Sequence, residues 1–250
     1  MAMTRDLGQY IEHIQGADNA EEVYQRFLKI ITAYGYDRMT YTLLTDSHSL
    51  NLKRQHGLVT NYPAEWMDYY IKNNYMSIDP VVIAAQQASA PFFWEDLKSR
   101  TDLPDGSLRI LDEGAEVGVG DGICVSFAGR GGELTGIGLA RSQSNGRPDK
   151  DYALMADLFL LSAFFHEKLI GFLSSKAIPP ITAKERDILS WAAEGKTDEE
   201  IALLLRLSVH TVRWHWKNIF EKLGVRGRVN CITKSLLMGI IEPTRVRPTY

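Results

Sequence analysis

The sequence predicts an α+β chain: an N-terminal α-β-α sandwich around an antiparallel sheet, followed by a C-terminal all-α helix-turn-helix domain. Three observations carry this expectation. Short segments rich in β-formers are flanked by longer stretches with helical apolar spacing. Residues 182–223 hold three closely spaced helix-start signals. Between the two regions lies the pair Pro179-Pro180, which cannot continue a helix.

Taken along the chain, residues 20–34 place Val23, Phe27, Ile30, Ile31 and Tyr34 at helical spacing and predict an amphipathic helix. Residues 38–44 (RMTYTLL), Gly122–Ala128 (GICVSFA) and Leu134–Ala140 (LTGIGLA) read as strands, the last two joined through Gly129-Arg130-Gly131-Gly132-Glu133 as a hairpin. Residues 151–172, with Leu154, Leu158, Leu161, Phe165 and Leu169, predict a long helix. Residues 174–181 (SSKAIPPI) read as a linker, which divides the chain into domains at 1–173 and 182–250.

In the second domain, Thr182 with Glu185 and Thr197 with Glu200 have capping-box spacing, and Ser208 is a third N-cap. Leu207 and Val212 sit where a hydrophobic staple would set the entry angle, and Gly224 closes the last helix. Helices over 197–205 and Val209–Leu223 are thus joined by a short turn, the helix-turn-helix connection. On the last helix Val212, Trp216, Ile219 and Leu223 form one apolar stripe, while His210, Arg213, Trp214 and Lys217 gather opposite. Arg and Lys on such a face can donate to guanine in a DNA major groove. A solvated basic face is the blander alternative, weighed against three capped helices in the right spacing. Lys196, Thr197 and Thr211 complete the expected DNA face. Charge agrees: residues 181–250 carry 12 Lys+Arg against 8 Asp+Glu, whereas the whole chain has 28 against 31, and phosphate neutralisation needs only a local patch.

The third informative region, residues 61–96, concentrates Tyr62, Trp66, Tyr69, Tyr70, Tyr75, Phe92, Phe93 and Trp94 around Asp79-Pro80. Aromatic rings with polar tips can enclose an apolar ligand and orient it. An Asp among them must be paired, hydrogen-bonded or protonated. Taken singly, each ring is as well explained by core packing and Asp79 by a turn.

Together, the two halves resemble the LuxR family of quorum-sensing transcription factors, over nearly the whole chain. Tyr62, Trp66, Tyr70, Asp79, Pro80, Trp94 and Gly122 stand where that family has its pocket aromatics, Asp-Pro and glycine; Glu185, Leu189 and Gly195 match positions of its helix-turn-helix. The resemblance implies an autoinducer-binding domain for an N-acyl-homoserine lactone, and a homodimer on pseudo-palindromic double-stranded DNA, with RNA polymerase as a further partner. It further implies that Trp66 donates to the lactone carbonyl, that Asp79 accepts from the amide N–H and that Tyr62 donates to the amide carbonyl, with Tyr70 and Trp94 packing around the acyl chain and lactone ring. Indole is donor-only and carboxylate acceptor-only, so these pairings are chemically sound. Two departures stand out. Gly138 occupies a pocket position where many relatives carry a hydroxyl, and Trp214-His215-Trp216 is unusually aromatic.

An orphan LuxR-type regulator that responds to a different small molecule, or to none, is the alternative. An enzyme using Asp79 or a His as base lacks a nucleophile, metal cluster or phosphate loop, since residues 129–133 match no P-loop. A response regulator would need acidic residues at the ends of a parallel sheet. No cofactor or metal is expected; Cys124 and Cys231 have no ligand spacing, and His210 and His215 fall on different helix faces. Without an apolar leader or an 18-residue apolar run, a cytoplasmic protein independent of membranes is expected.

Overall fold

The computed structural model describes residues 6–142, 150–174 and 179–242. They form two compact units, the first built mainly from residues before 175 and the second mainly from those after it.

The first unit runs α1 (Leu7–Gln15), α2 (Ala20–Ala33), β1 (Arg38–Leu43), β2 (Gln55–Thr60), α3 (Ala64–Lys72), α4 (Pro80–Gln87), β3 (Phe92–Phe93), α5 (Ser107–Glu116), β4 (Gly122–Ala128), β5 (Leu134–Ala140) and α6 (Tyr152–Ser174). Its sheet has the order β2-β1-β5-β4-β3 and every pairing is antiparallel. Strand alternation assigns its two faces. Met39, Tyr41, Ile123, Val125, Ile137 and Leu139 are fully buried, and Tyr41 meets Phe165 edge-on at 6.1 Å. Phe165 in turn stacks on Phe27 at 4.2 Å, locking α2 to α6.

The expected α-β-α sandwich is present, but its second layer has a different origin. Helices before and after the sheet, α1, α2 and α6, pack together on one face. The other face is covered by α3, α4 and α5, which lie between strands in the chain. The 129–133 hairpin loop closes with Gly129 N–H donating to the Glu133 carbonyl at 2.8 Å. The long helix continues through Ser174, the first residue of the expected linker, and residues 175–178 of that linker lie outside the described residues.

The second unit contains α7 (Ala183–Ala193), α8 (Asp198–Leu205), α9 (Val209–Leu223) and α10 (Arg228–Leu237). Both capping boxes form: Thr182 and Thr197 accept from the N–H groups of Glu185 and Glu200, whose carboxylates accept in return. Ser208 caps α9 through the Thr211 N–H at 3.0 Å. Gly224 ends α9 at φ 62°, a left-handed conformation that costs glycine little. Val212, Trp216, Ile219 and Leu223 are all buried, and each is worth about 1.5–3 kcal/mol of apolar burial. α10 goes beyond the three helices expected; it seals this core with Cys231.

Candidate ligand pocket and nucleic-acid interface

On the sheet face turned away from α6 lies an internal cavity, roofed by α3, α4 and α5. It offers about 40 Å³ to the centres of water-sized spheres, more than the roughly 10–15 Å³ one water needs. Its floor is set by strand register: Thr40 faces Gly138, which faces Cys124, and Thr42 faces Gly136. Leu44, Val82, Ala85, Ile110 and Leu111 supply apolar wall.

Asp79 is the N-cap of α4. Its Oδ1 accepts from the Val81 N–H at 2.7 Å and the Val82 N–H at 3.4 Å, and its Oδ2 accepts from Tyr70 Oη at 2.6 Å. Burial raises its pKa, against the opposing pull of those hydrogen bonds. Proline fits N1 of a helix because its missing N–H has no partner there, so Asp79-Pro80 is the start of α4.

Three polar atoms nearby are buried with no hydrogen-bond partner among the described residues: Tyr62 Oη, Trp94 Nε1 and Thr40 Oγ1. Their side chains converge on Gly138, where an added Cβ would lie 3.1 Å from Thr40 Cγ2, 3.2 Å from Tyr62 Oη and 3.3 Å from Trp94 Cζ2. A buried unmet donor is costly, and here three are grouped beside one carboxylate. That arrangement can receive a compact polar head carrying carbonyl acceptors and an N–H, with an apolar body extending along the wall.

Of the residues singled out from sequence, Tyr62, Trp66, Tyr70, Asp79, Trp94 and Gly138 all line the cavity. Pro80 and Gly122 are not part of its lining. Pro80 is buried in the first turn of α4, and Gly122 admits Trp94: a Cβ there would sit 2.3 Å from the Leu139 carbonyl oxygen and 3.1 Å from the indole. Tyr70, expected against acyl chain and lactone ring, also orients Asp79 through its hydroxyl. Sequence reasoning missed Thr40, Thr42, His56 and Cys124. The alternation of β1 carried a signal for the threonines. His56 had none, because β2 was not recognised as a strand.

In the second unit, His210, Arg213, Trp214 and Lys217 are exposed along one side of α9, Trp214 at 56% despite its apolar ring. Arg213 lies 3.7 Å from Asp198 and 3.6 Å from Glu199; such exposed pairs are weak, and phosphate can replace the carboxylates. Lys196 is 3.7 Å from Glu200, Thr197 caps α8, and the Thr211 hydroxyl is 2.8 Å from that of Ser208. Asp198 was missed as an organiser. It accepts from Trp216 Nε1 and from Arg228 Nη1, each at 3.0 Å, which ties α8, α9 and α10 together. Lys222 reaches back to the nearly buried Glu185 at 2.7 Å, and although burial pushes the Glu185 pKa up, this bond and the Thr182 cap hold it below the usual value.

Comparison with known proteins agrees with this architecture. Residues 19–169 match the autoinducer binding domain model, and residues 179–235 match that of bacterial regulatory proteins of the luxR family. The chain is 30% identical over 238 residues to the transcriptional activator protein VanR of Vibrio anguillarum, covering 93% of this chain and 95% of that one. It is 30% identical over 187 residues to the HTH-type quorum sensing-dependent transcriptional regulator RpaR of Rhodopseudomonas palustris, covering 74% and 75%. The Escherichia coli SdiA crystal structure shares the fold at TM-score 0.77 and 24% identity, over 94% of this chain and 98% of that one. An autoinducer-binding domain followed by a helix-turn-helix of this type marks a regulator of transcription rather than an enzyme, and the chain belongs to the LuxR family of quorum-sensing transcriptional regulators.

Proposed function

We propose that the first unit senses an N-acyl-homoserine lactone and that the ligand-bound protein binds pseudo-palindromic promoter DNA as a homodimer. The observation that carries this reading is the grouping of Tyr62 Oη, Trp94 Nε1 and Thr40 Oγ1, all buried and unpartnered among the described residues, beside the Asp79 carboxylate. An acyl-homoserine lactone supplies the complement: two carbonyl acceptors and an ester oxygen for the donors, one amide N–H for Asp79, and an acyl chain for the apolar wall. Tyr62 and Trp66 serve the carbonyls, and Trp94 adds a donor of its own.

The operator-facing residues are Lys196, Thr197, His210, Thr211, Arg213, Trp214 and Lys217. One recognition helix reads a half-site, so two copies read a palindrome, and RNA polymerase is the further partner at such a promoter. The domain limits are 1–173 and 182–250, with the linker at 174–181. Cytoplasmic work with DNA fits a chain in which no helix of the described residues is long and apolar enough to cross a membrane.

Fluorescence of the pocket indoles tests the ligand. Titrating acyl-homoserine lactones into the purified full chain should give saturable quenching, weakened about 2- to 10-fold in Tyr62→Phe by loss of one hydrogen bond. Saturable binding that is indifferent to Tyr62→Phe and to Asp79→Asn would remove the ligand from this pocket.

A further inference from the structure

The pocket floor carries chemistry that a plain alkyl tail does not use. Thr40 and Thr42 emerge from the same face of β1, opposite Gly138 and Gly136 of β5, so hydroxyls stand beside glycines where bulkier side chains would fill the space. Thr42 Oγ1 lies 3.0 Å from His56 Nδ1. The His56 ring stacks on Tyr70, centroids 4.3 Å apart and planes 21° from parallel, and Tyr70 donates to Asp79.

The imidazole is therefore held at its edge by a hydroxyl and on its face by a ring. Burial pushes its pKa down to about 4, so at neutral pH it is uncharged, with one donor and one acceptor nitrogen. The Thr42 hydroxyl can donate to Nδ1 or accept from it, and Nε2 takes the opposite role in each tautomer. Such a pair can serve a ligand carbonyl or a ligand hydroxyl equally. An alkyl chain laid over this floor would instead cover the edge of the imidazole beside Thr42, and burying unmet polar groups is unfavourable.

We propose that His56 and Thr42, with Thr40 beside them, form a polar subsite that selects signals whose acyl group carries an oxo or hydroxyl oxygen over plain alkyl chains. The inference rests on the reading of this cavity as an acyl-homoserine-lactone site. Its position follows from Tyr70, which touches Asp79 through its hydroxyl and His56 through its face. The subsite lies one aromatic ring from the carboxylate, so an acyl group whose amide sits at Asp79 meets it within its first few carbons.

Calorimetry on the purified full chain, with the N-octanoyl, N-3-oxooctanoyl and N-3-hydroxyoctanoyl homoserine lactones, tests this at constant chain length. Wild type should bind an oxygenated ligand about 3- to 10-fold tighter than the octanoyl one, the range expected for one neutral hydrogen bond. His56→Leu should bring that ratio close to one. Thr42→Val, nearly isosteric, should do the same and stands in if His56→Leu fails to fold by circular dichroism. A wild-type ratio near one, or a ratio unchanged in the folded variants, overturns the subsite and leaves the signal assignment standing. Absence of binding by all three to folded wild type overturns both.

Discussion

The pocket and the recognition helix use polar residues in opposite surroundings, and the contrast governs what each can do. Around Asp79 the side chains of Thr40, Thr42, Tyr62, Tyr70 and Trp94 are buried and His56 is half-buried, so an unmet donor or a shifted pKa acts strongly. Along α9, Arg213, Trp214 and Lys217 face solvent; there each contact is modest, screened by salt and nearly independent of its neighbours. Variants in the pocket should therefore change stability and ligand choice with little salt dependence. Variants on α9 should change DNA affinity and its salt slope with little effect on folding.

Acid separates the two regions. Burial holds both His56 and His166 near pKa 4, below the roughly 6.5 of an unfolded histidine. The unfolded chain binds the extra protons between those values, so their contribution is complete above about pH 6.5 and is lost as pH falls toward 4. Each should cost about 1–2 kcal/mol between pH 7 and pH 5. Asp79 works the other way, because its raised pKa makes protonation favour the fold. Denaturant midpoints of wild type and His56→Leu at both pH values check this: the variant should lose less on acidification, and equal losses would mean that His56 is already protonated or exposed.

A larger single-variant effect is expected from Asp79→Ala, which removes the α4 cap and strands the buried Tyr70 hydroxyl. A cap is worth about 0.5–2 kcal/mol and an unmet buried hydroxyl about 1–3, so a loss of about 2–4 kcal/mol is expected in urea melts. An unchanged midpoint would show that Asp79 contributes nothing to the fold. Asp79→Asn keeps the volume and much of the cap, and should lower signal response more than stability.

On the exposed side, Arg213→Ala and Lys217→Ala should each cost about 1–3 kcal/mol and relax sequence preference if they touch bases. If they touch phosphate, affinity should fall for all sequences and the salt slope by about one. Binding isotherms on operator and random duplexes across a salt series separate these cases. No change in either variant would remove α9 as the reading helix.

The smallest effect is expected at Gly138. A Ser Cβ there meets Thr40, Tyr62 and Trp94 at 3.1–3.3 Å, so neighbours must yield by a few tenths of an ångström while a hydroxyl joins the donor group. Gly138→Ser should favour short chains over long ones by a few-fold, about what one hydrogen bond and lost volume produce. A uniform shift across a chain-length series would place Gly138 outside the selective part of the pocket.

The same contrast explains what could be read from sequence. The helix-turn-helix was legible almost residue by residue because its signals are local: Thr182 with Glu185, Thr197 with Glu200, Ser208 and Gly224 act within one turn. β4 and β5 were legible through composition, with their observed limits. β2 was not, since QHGLVT lacks alternation, is half-buried throughout and pairs with β1 across an irregular register. α3 was hidden among aromatics that suit a pocket or a core equally, while α4 and α5 are short helices of eight and ten residues. His56 and Thr42 are brought together by sheet register, which no local pattern encodes. α10 was missed although its periodicity is clear, because Gly224 marked an end that Gly227 soon reopened.

Whether this cavity holds an acyl-homoserine lactone is read most directly from the small molecule that co-purifies with the protein. Protein purified from cells supplied with a mixture of acyl-homoserine lactones can be extracted and the extract analysed by mass spectrometry, wild type beside Asp79→Asn. Wild type should yield near-stoichiometric acyl-homoserine lactone, enriched in oxygen-substituted chains, and Asp79→Asn clearly less. Recovery of a different lipid, or of no small molecule at all, from folded wild-type protein would contradict it.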